Sequence, residues 1–114
     1  MSERDIPSLL HDILEAIDNI KAFTYEMTFD NYQSDLKTKH AVERNFAIIG
    51  EAVSRIDRSF RDQHTSVDWR EVKDFRNILV HDYFGIDDGI VWDIIQIDLI
   101  PLEKDIRHVL AAIL

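Results

Sequence analysis

One stretch of the chain, residues 36–56, reads LKTKHAVERNFAIIGEAVSRI. Its apolar residues recur at spacings of three and four, which is the period of one face of a helix. The pattern predicts a long helix that packs against a partner helix, because an apolar stripe on one side must be covered. This near-heptad seam, in which Lys39 alone is polar, consists of Leu36, Lys39, Val42, Phe46, Ile49, Val53 and Ile56.

The sequence before this stretch predicts a first helix over residues 6–27. Asp5 is a candidate N-cap, and Pro7 stands in the first turn, where proline is tolerated. A break is expected over residues 29–34, before the long helix begins.

The sequence after this stretch predicts two more helical regions. A polar connection over residues 61–67 leads to a third helix, whose start resembles a capping box formed by Asp68 and Glu71. Asp87 or Asp88 can cap the last helix, and Pro101 is expected to kink or divide it. We therefore predict an all-α fold, a four- or five-helix up-and-down bundle.

Composition limits the classes of protein that this chain can belong to. With 114 residues, 46% of them hydrophobic, residues 1–114 are expected to form a single helical domain. The absence of cysteine excludes disulfides and thiolate metal sites. No apolar run approaches the roughly 20 residues that span a bilayer, and no signal core follows the N-terminal Met, so we expect a cytoplasmic protein without membrane contact.

The charge of the chain is unevenly distributed. A net charge of -9 argues against binding to nucleic acid, since phosphate binding normally requires a basic surface. Residues 37–76, however, hold nine of the 13 Lys and Arg residues and only seven of the 22 acidic ones. Any surface that faces phosphate is therefore expected in this segment, among Lys37, Lys39, Arg44, Arg55, Arg58, Arg61, Arg70, Lys73 and Arg76.

The residues that most strongly indicate a catalytic function lie at positions 74–84, which read DFRNILVHDYF. Arg76 is followed after four residues by His81 and, one residue later, by Tyr83. This spacing resembles the signature of HEPN ribonucleases. The flanking segments AVERN (41–45), IGEA (49–52), DWR (68–70) and VWDII (91–95) resemble the HepT-like branch of that family, so the resemblance covers nearly the whole chain.

Helical geometry constrains how the three motif residues can meet. At about 100° per residue, Arg76 and Tyr83 lie within about 20° of each other around a helix, whereas Arg76 and His81 are roughly 140° apart. A straight helix cannot bring all three together, so the helix is expected to end or distort near His81. Asn77, four residues before His81, could orient the imidazole and select its tautomer.

The resemblance implies a homodimer that brings two motif copies into one cleft, and metal-independent cleavage of RNA. The substrate would be tRNA or mRNA and not DNA, with a ribose 2′-hydroxyl attacking the adjacent phosphate. His81 would transfer protons, Arg76 would stabilise the charged phosphorane, and Tyr83 would orient phosphate. No cofactor or metal is expected, and the remaining histidines show no spacing typical of metal ligands. Three further residues are possible contacts to the RNA backbone: Lys37, Lys39 and Arg44.

The resemblance also implies a partner protein. The chain would be the toxin of a type II toxin–antitoxin system, and its antitoxin would be a minimal nucleotidyltransferase of the MntA type. That enzyme would transfer AMP to Tyr83, which would place negative charge and bulk in the cleft.

Two other interpretations compete with a ribonuclease. The first is a non-catalytic helical subunit that binds a nucleotidyltransferase and completes its substrate or nucleotide pocket, and the acidic net charge favours it slightly. The second is a dimeric scaffold in which the motif is only a structural helix cap. RNA cleavage by the purified protein would distinguish the three.

Overall fold

The computed structural model describes residues 4–80 and 86–114, with the backbone alone at residues 76 and 78–80. Within these residues every regular element is helical, which confirms the all-α prediction. In chain order the elements are α1 (Ile6–Phe23), α2 (Phe29–Ser34), α3 (Leu36–Ser54), α4 (Arg58–Gln63), α5 (Trp69–Val80), α6 (Asp88–Asp93), a π-helical segment (Ile94–Asp98) and α7 (Leu99–Ile113).

The long helices α1, α3, α5 and α7 form a bundle around one apolar core. Helix α3 packs against both α1 and α5, and α1 packs against α7. Val72 of α5 and Leu102 of α7 line one small cavity of about 90 Å³, so these two helices also lie side by side. This arrangement agrees with a HEPN-type helical bundle.

The seam of α3 forms the centre of this core, as its period predicts. Val42, Ile49 and Val53 are fully buried, and the Phe46 ring meets the Phe75 ring of α5 edge-on with centroids 5.4 Å apart. At the N-terminal end of the seam, Leu36 is 62% exposed. The apolar stripe is therefore covered along α3 except at its first turn.

Helix α1 begins as predicted but ends earlier. The Asp5 carboxylate accepts a hydrogen bond from the Ser8 backbone N–H at 2.9 Å, and Pro7 lies in the first turn. The predicted end at residue 27 was wrong, because α1 ends at Phe23. Glu26 adopts a left-handed conformation with φ of 60°, which no continuing α-helix can contain.

The break predicted over residues 29–34 was also wrong, since these residues form α2. Thr28 and Asn31 form a reciprocal capping box, in which each side chain accepts from the other residue's backbone N–H at 3.1 Å. Asparagine here takes the place of the usual Glu or Gln. The buried Tyr32 then attaches this short helix to the core.

The connection predicted over residues 61–67 overlaps another short helix, α4 at Arg58–Gln63. Its apolar residue, Phe60, packs against the core, and a stacking contact with His64 holds their ring centroids 4.3 Å apart. Periodicity could not reveal α4, because a six-residue helix has too few turns to show it.

The predicted starts of the later helices are confirmed. The Asp68 carboxylate accepts from the Glu71 backbone N–H at 3.1 Å at the start of α5. Of the two candidates for the last cap, Asp87 is the N-cap and accepts from the backbone N–H groups of Gly89 and Ile90 at 2.9 and 3.2 Å.

The final helical region is divided, as the proline predicts. Pro101 lies in the first turn of α7, where its missing N–H is tolerated, and the π-helical segment at residues 94–98 separates α6 from α7 just before it. Among the described helices, none has the length and apolar character needed to cross a bilayer.

Candidate active site

Helix α5 carries the first part of the motif and is held firmly against the bundle. Trp69 at its start is 7% exposed, and its indole N–H donates to the His64 backbone carbonyl at 2.9 Å. Phe75, one residue before Arg76, is 3% exposed and packs on Phe46 of α3. These contacts fix the position and rotation of the helix that presents residue 76.

The three motif residues are described to different extents. Arg76 belongs to α5 through its backbone, while His81 and Tyr83 lie outside the described residues. The expectation that the helix ends or distorts near His81 concerns the same undescribed segment. Asn77 is exposed, and its side-chain amide donates to the Asp74 carboxylate at 3.1 Å.

The chain that follows the motif is attached to α3 by an ion pair. The Lys39 ammonium lies 2.9 Å from the Asp88 carboxylate at the start of α6, and it also donates to the Gln33 backbone carbonyl at 3.3 Å. Asp87 caps the same helix through its first amides. The start of α6, a few residues after the motif in sequence, is therefore anchored to α3.

Two further ionisable groups lie close to this ion pair. The Tyr32 hydroxyl is buried without a hydrogen-bond partner among the described residues, and burial raises the pKa of this phenol, with a further contribution from Glu43 and Asp88. Burial also raises the pKa of Glu43, an effect that the neighbouring His40 and Lys39 oppose and Asp88 reinforces. The phenol is thus a neutral, buried group, and the Tyr32 ring packs on Trp92 of α6 with centroids 5.4 Å apart.

The proposed contacts to the RNA backbone do not form one group. Lys37 is exposed at the start of α3, whereas Lys39 has its charge paired with Asp88. Arg44 is exposed and lines a different surface, a cavity of about 400 Å³ that also involves Arg4 and Arg55. The structure therefore distributes these cations along α3.

Four of the nine cations that the sequence analysis named in the basic middle segment form a second basic surface, which the fold assembles from two helices. Arg58 and Arg61 of α4 and Arg70 and Lys73 of α5 line one cavity of about 650 Å³. The sequence signal for this surface was the spacing of three residues within each pair, Arg58 with Arg61 and Arg70 with Lys73, inside the basic segment 37–76. What the sequence could not show was that residues of α4 and α5 line one cavity.

Within residues 4–80 and 86–114, no group of three or more His, Asp or Glu side chains could hold a metal ion.

Comparison with known proteins identifies the family. The family model described as "Ribonuclease HepT-like" matches residues 13–109. "Putative RNase MJ1380" from Methanocaldococcus jannaschii is 37% identical over 109 residues, which cover 96% of this chain and 100% of the relative. "Putative RNase MJ0127" from the same organism is 39% identical over 111 residues, covering 96% and 91% of the two chains.

A relative from a second organism agrees. "Probable ribonuclease HepT" from Thermococcus cleftensis is 39% identical over 101 residues, which cover 89% of this chain and 92% of the relative. No solved structure gives a significant match. The resemblance deduced from the Arg76 motif and its flanking segments is confirmed, as is the prediction of a ribonuclease at the level of the family. The chain belongs to the HepT-like ribonuclease family.

Proposed function

We propose that this protein is the toxin of a toxin–antitoxin pair and cleaves RNA internally without a metal ion. The observation that carries the proposal is the spacing of Arg76, His81 and Tyr83 within a segment, residues 13–109, that matches a ribonuclease family throughout. Arg76 stands on a helix that Phe75 and Trp69 fix to the bundle. The ion pair of Asp88 with Lys39 supports the other end of the motif segment.

The proposed reaction is an internal transesterification. The ribose 2′-oxygen forms a bond to the adjacent phosphorus, and the bond from phosphorus to the 5′-oxygen breaks, which leaves a 2′,3′-cyclic phosphate. His81 takes the proton from the 2′-hydroxyl, and a second, protonated His81 from the other protomer supplies a proton to the leaving 5′-oxygen. An imidazole suits both roles because its unperturbed pKa of about 6.5 lies near neutrality.

Two other motif residues would act on the phosphate. The guanidinium of Arg76 offers paired donors to two phosphate oxygens and remains charged at every relevant pH, so it can stabilise the phosphorane. The Tyr83 hydroxyl would orient the same group, and Asn77 would support the imidazole. Lys37 and Arg44 remain available to bind flanking backbone, whereas Lys39 would first have to leave Asp88.

We propose that modification of Tyr83 controls the activity. A nucleotidyltransferase antitoxin of the MntA type would catalyse attack of the phenolic oxygen on the α-phosphorus of ATP, with pyrophosphate as the leaving group. The attached AMP would place a negative phosphate beside Arg76 and fill the cleft, which excludes RNA by charge and by volume.

The experiment that tests this function uses the purified full chain. It is incubated with tRNA and mRNA, with and without a chelator, beside His81→Ala protein. We expect cleavage that the chelator leaves unchanged and that His81→Ala abolishes, with cyclic phosphate and 5′-hydroxyl ends. Absence of cleavage, or equal cleavage by the variant, would overturn the proposal.

A second function is favoured by one observation, the net charge of -9. Such a chain is poorly suited to bind a polyanion over most of its surface, and it could instead be a non-catalytic subunit of a nucleotidyltransferase. In that case the chain would cleave no RNA, and its addition would raise the activity of the partner enzyme.

A further inference from the structure

A basic pocket lies between α4 and the first half of α5. Its volume is about 650 Å³, and we call it the α4–α5 pocket. Four cationic side chains line it against two carboxylates, in a protein whose net charge is -9. The cations are Arg58, Arg61, Arg70 and Lys73, and the carboxylates are Asp62 and Asp68.

The two carboxylates do not neutralise these cations. Asp68 is engaged as a helix cap, because one of its oxygens accepts from the Glu71 backbone N–H. Asp62 lies 3.9 Å from Arg58, and the two side chains are 72% and 88% exposed. An ion pair so long and so exposed is weak. Even with both carboxylates ionised, four cations against two carboxylates leave the lining of the α4–α5 pocket with a net formal charge of +2.

Arg61 is the least exposed of the four cations. Its Nε atom is buried, and no hydrogen-bond partner for it exists among the described residues. Buried donors are nearly always paired, so the hydrogen bonding of this guanidinium group is incomplete within the described residues. Because Arg61 also lines the pocket, a phosphate bound there would meet a guanidinium group, with which it forms charge-assisted hydrogen bonds.

The frame of the pocket is rigid. Val67 and Trp69, which also line it, are 2% and 7% exposed, and the Trp69 indole bond to His64 closes the loop between α4 and α5. A preformed frame does not have to be ordered when the ligand binds, which lowers the entropic cost of binding.

The position of the pocket relative to the motif indicates the kind of anion. Arg70, Lys73 and residue 76 follow one another on α5, and at 1.5 Å per residue Lys73 lies about 4.5 Å along the axis from residue 76, with Arg70 about 9 Å away. Cations spaced along one helix fit a polyanion better than an isolated phosphate group.

From these observations we propose that the α4–α5 pocket binds the RNA backbone next to the phosphate that is cleaved. This proposal rests on the proposed ribonuclease function and extends it, because it assigns the substrate's flanking phosphates to Arg61, Arg70 and Lys73. It also explains how an acidic protein can hold RNA, since four of its cations line this one cavity.

The test measures how RNA binding depends on salt. Binding of a fluorescently labelled single-stranded RNA is followed by anisotropy from low to moderate salt, in the His81→Ala background so that the RNA stays intact. Each phosphate contact contributes about 0.7 to the slope of log K against log salt concentration for a single strand. We expect Arg70→Ala and Lys73→Ala each to reduce the slope by about 0.7 and to weaken binding several-fold at low salt.

Two matched controls accompany these variants. Lys104→Ala removes one exposed positive charge from α7, away from the pocket lining, and is expected to leave the slope unchanged. Arg70→Lys keeps the charge and is expected to preserve the slope. Melting curves for all variants confirm that the bundle is intact, which is expected because Arg70 and Lys73 are exposed.

The outcomes separate this proposal from the proposed function. If protein with native His81 cleaves RNA but the slope is the same with and without Arg70 and Lys73, the pocket assignment is wrong and the ribonuclease stands. If these variants retain the RNA slope but lose binding to an acidic protein partner, the pocket serves that partner and the assignment is again wrong. If the native chain neither binds nor cleaves RNA, both proposals fail.

Discussion

Lys39 and Asp88 join α3 to the start of α6 through an ion pair. The two charged groups are 2.9 Å apart, and their side chains are only 20% and 16% exposed. Removing one partner from a largely buried pair leaves the other charge unpaired, which costs more than the pair itself contributes. We expect Lys39→Met to lower the free energy of unfolding by about 1–3 kcal/mol and also to reduce RNA cleavage.

A double-mutant cycle tests this coupling. Lys39→Met with Asp88→Asn should be more stable than the sum of the single effects predicts, because no uncompensated charge remains. The exposed pair of Arg58 and Asp62 is the control, and Arg58→Ala should change stability by less than about 1 kcal/mol. Additive effects in the Lys39 and Asp88 cycle, measured by urea unfolding, would contradict the role assigned to the pair.

The chemical roles proposed for Arg76 and His81 predict a loss of activity without a loss of fold. Removing a general acid–base group costs roughly 10²–10⁴-fold in rate, and removing a donor to the transition state roughly 10²–10³-fold. We expect His81→Ala and Arg76→Ala to abolish growth inhibition and RNA cleavage, and Arg76→Lys to be a poor substitute. Circular dichroism and melting curves should be nearly unchanged, because both side chains are expected to face solvent in a cleft; unfolding of both alanine variants would refute that expectation.

Modification of Tyr83 is tested by mass spectrometry. Protein co-expressed with the proposed nucleotidyltransferase antitoxin should gain mass in units of AMP on the peptide that contains Tyr83. Tyr83→Phe has no phenolic oxygen and should gain none. An unmodified peptide from a fully neutralised toxin would show instead that the partner acts by covering the site.

The proposed division of acid and base roles requires two protomers. We expect a homodimer by light scattering at micromolar concentration, with the motif helices near a two-fold axis. Exposed apolar residues that a partner could cover are available, among them Ile90 at 48%, Ile97 at 66% and Ile100 at 54% exposed. A monomer that still cleaves RNA at this concentration would disprove the requirement.

The raised pKa of Glu43 predicts a particular dependence of stability on pH. Because burial raises this pKa in the folded protein, the protonated carboxyl favours folding at low pH, and this contribution is lost as the pH rises through the folded-state pKa. Glutamine cannot ionise, so Glu43→Gln should gain melting temperature relative to the native protein as the pH rises from about 4 to 7.

Glu103 serves as a control, because its pKa is lowered whereas that of Glu43 is raised. Its hydrogen bond with Lys21 is the main cause of its lowered pKa, so its carboxylate stabilises the fold above the unfolded-state pKa and loses this effect as the pH falls through the folded-state pKa. Glu103→Gln should therefore be less stable than the native protein near neutrality and similar to it in acid. The same pH dependence for both variants would contradict the assignment of Glu43.

Much of the fold was determined by local sequence. The three-and-four spacing on α3 predicted that Val42, Phe46 and Ile49 are core residues, and Asp5, Asp68 and Asp87 cap helices where short-range rules place caps. Such features depend on residues within a turn or two of each other, so the sequence alone contains the necessary information. The short helices α2 and α4 could not be predicted in this way, because six residues are too few to show a helical period.

For the candidate site too, part was determined by the sequence and part by the tertiary structure. The sequence by itself determined the spacing of Arg76, His81 and Tyr83 and thereby the family. Only the tertiary structure decided which cations are paired and which share a surface: Lys39 is paired with a carboxylate 49 positions away, while Arg61 of α4 and Arg70 of α5 line one cavity. The physical reason is that charge acts through space, so its partners depend on how the helices pack and not on their order in the chain.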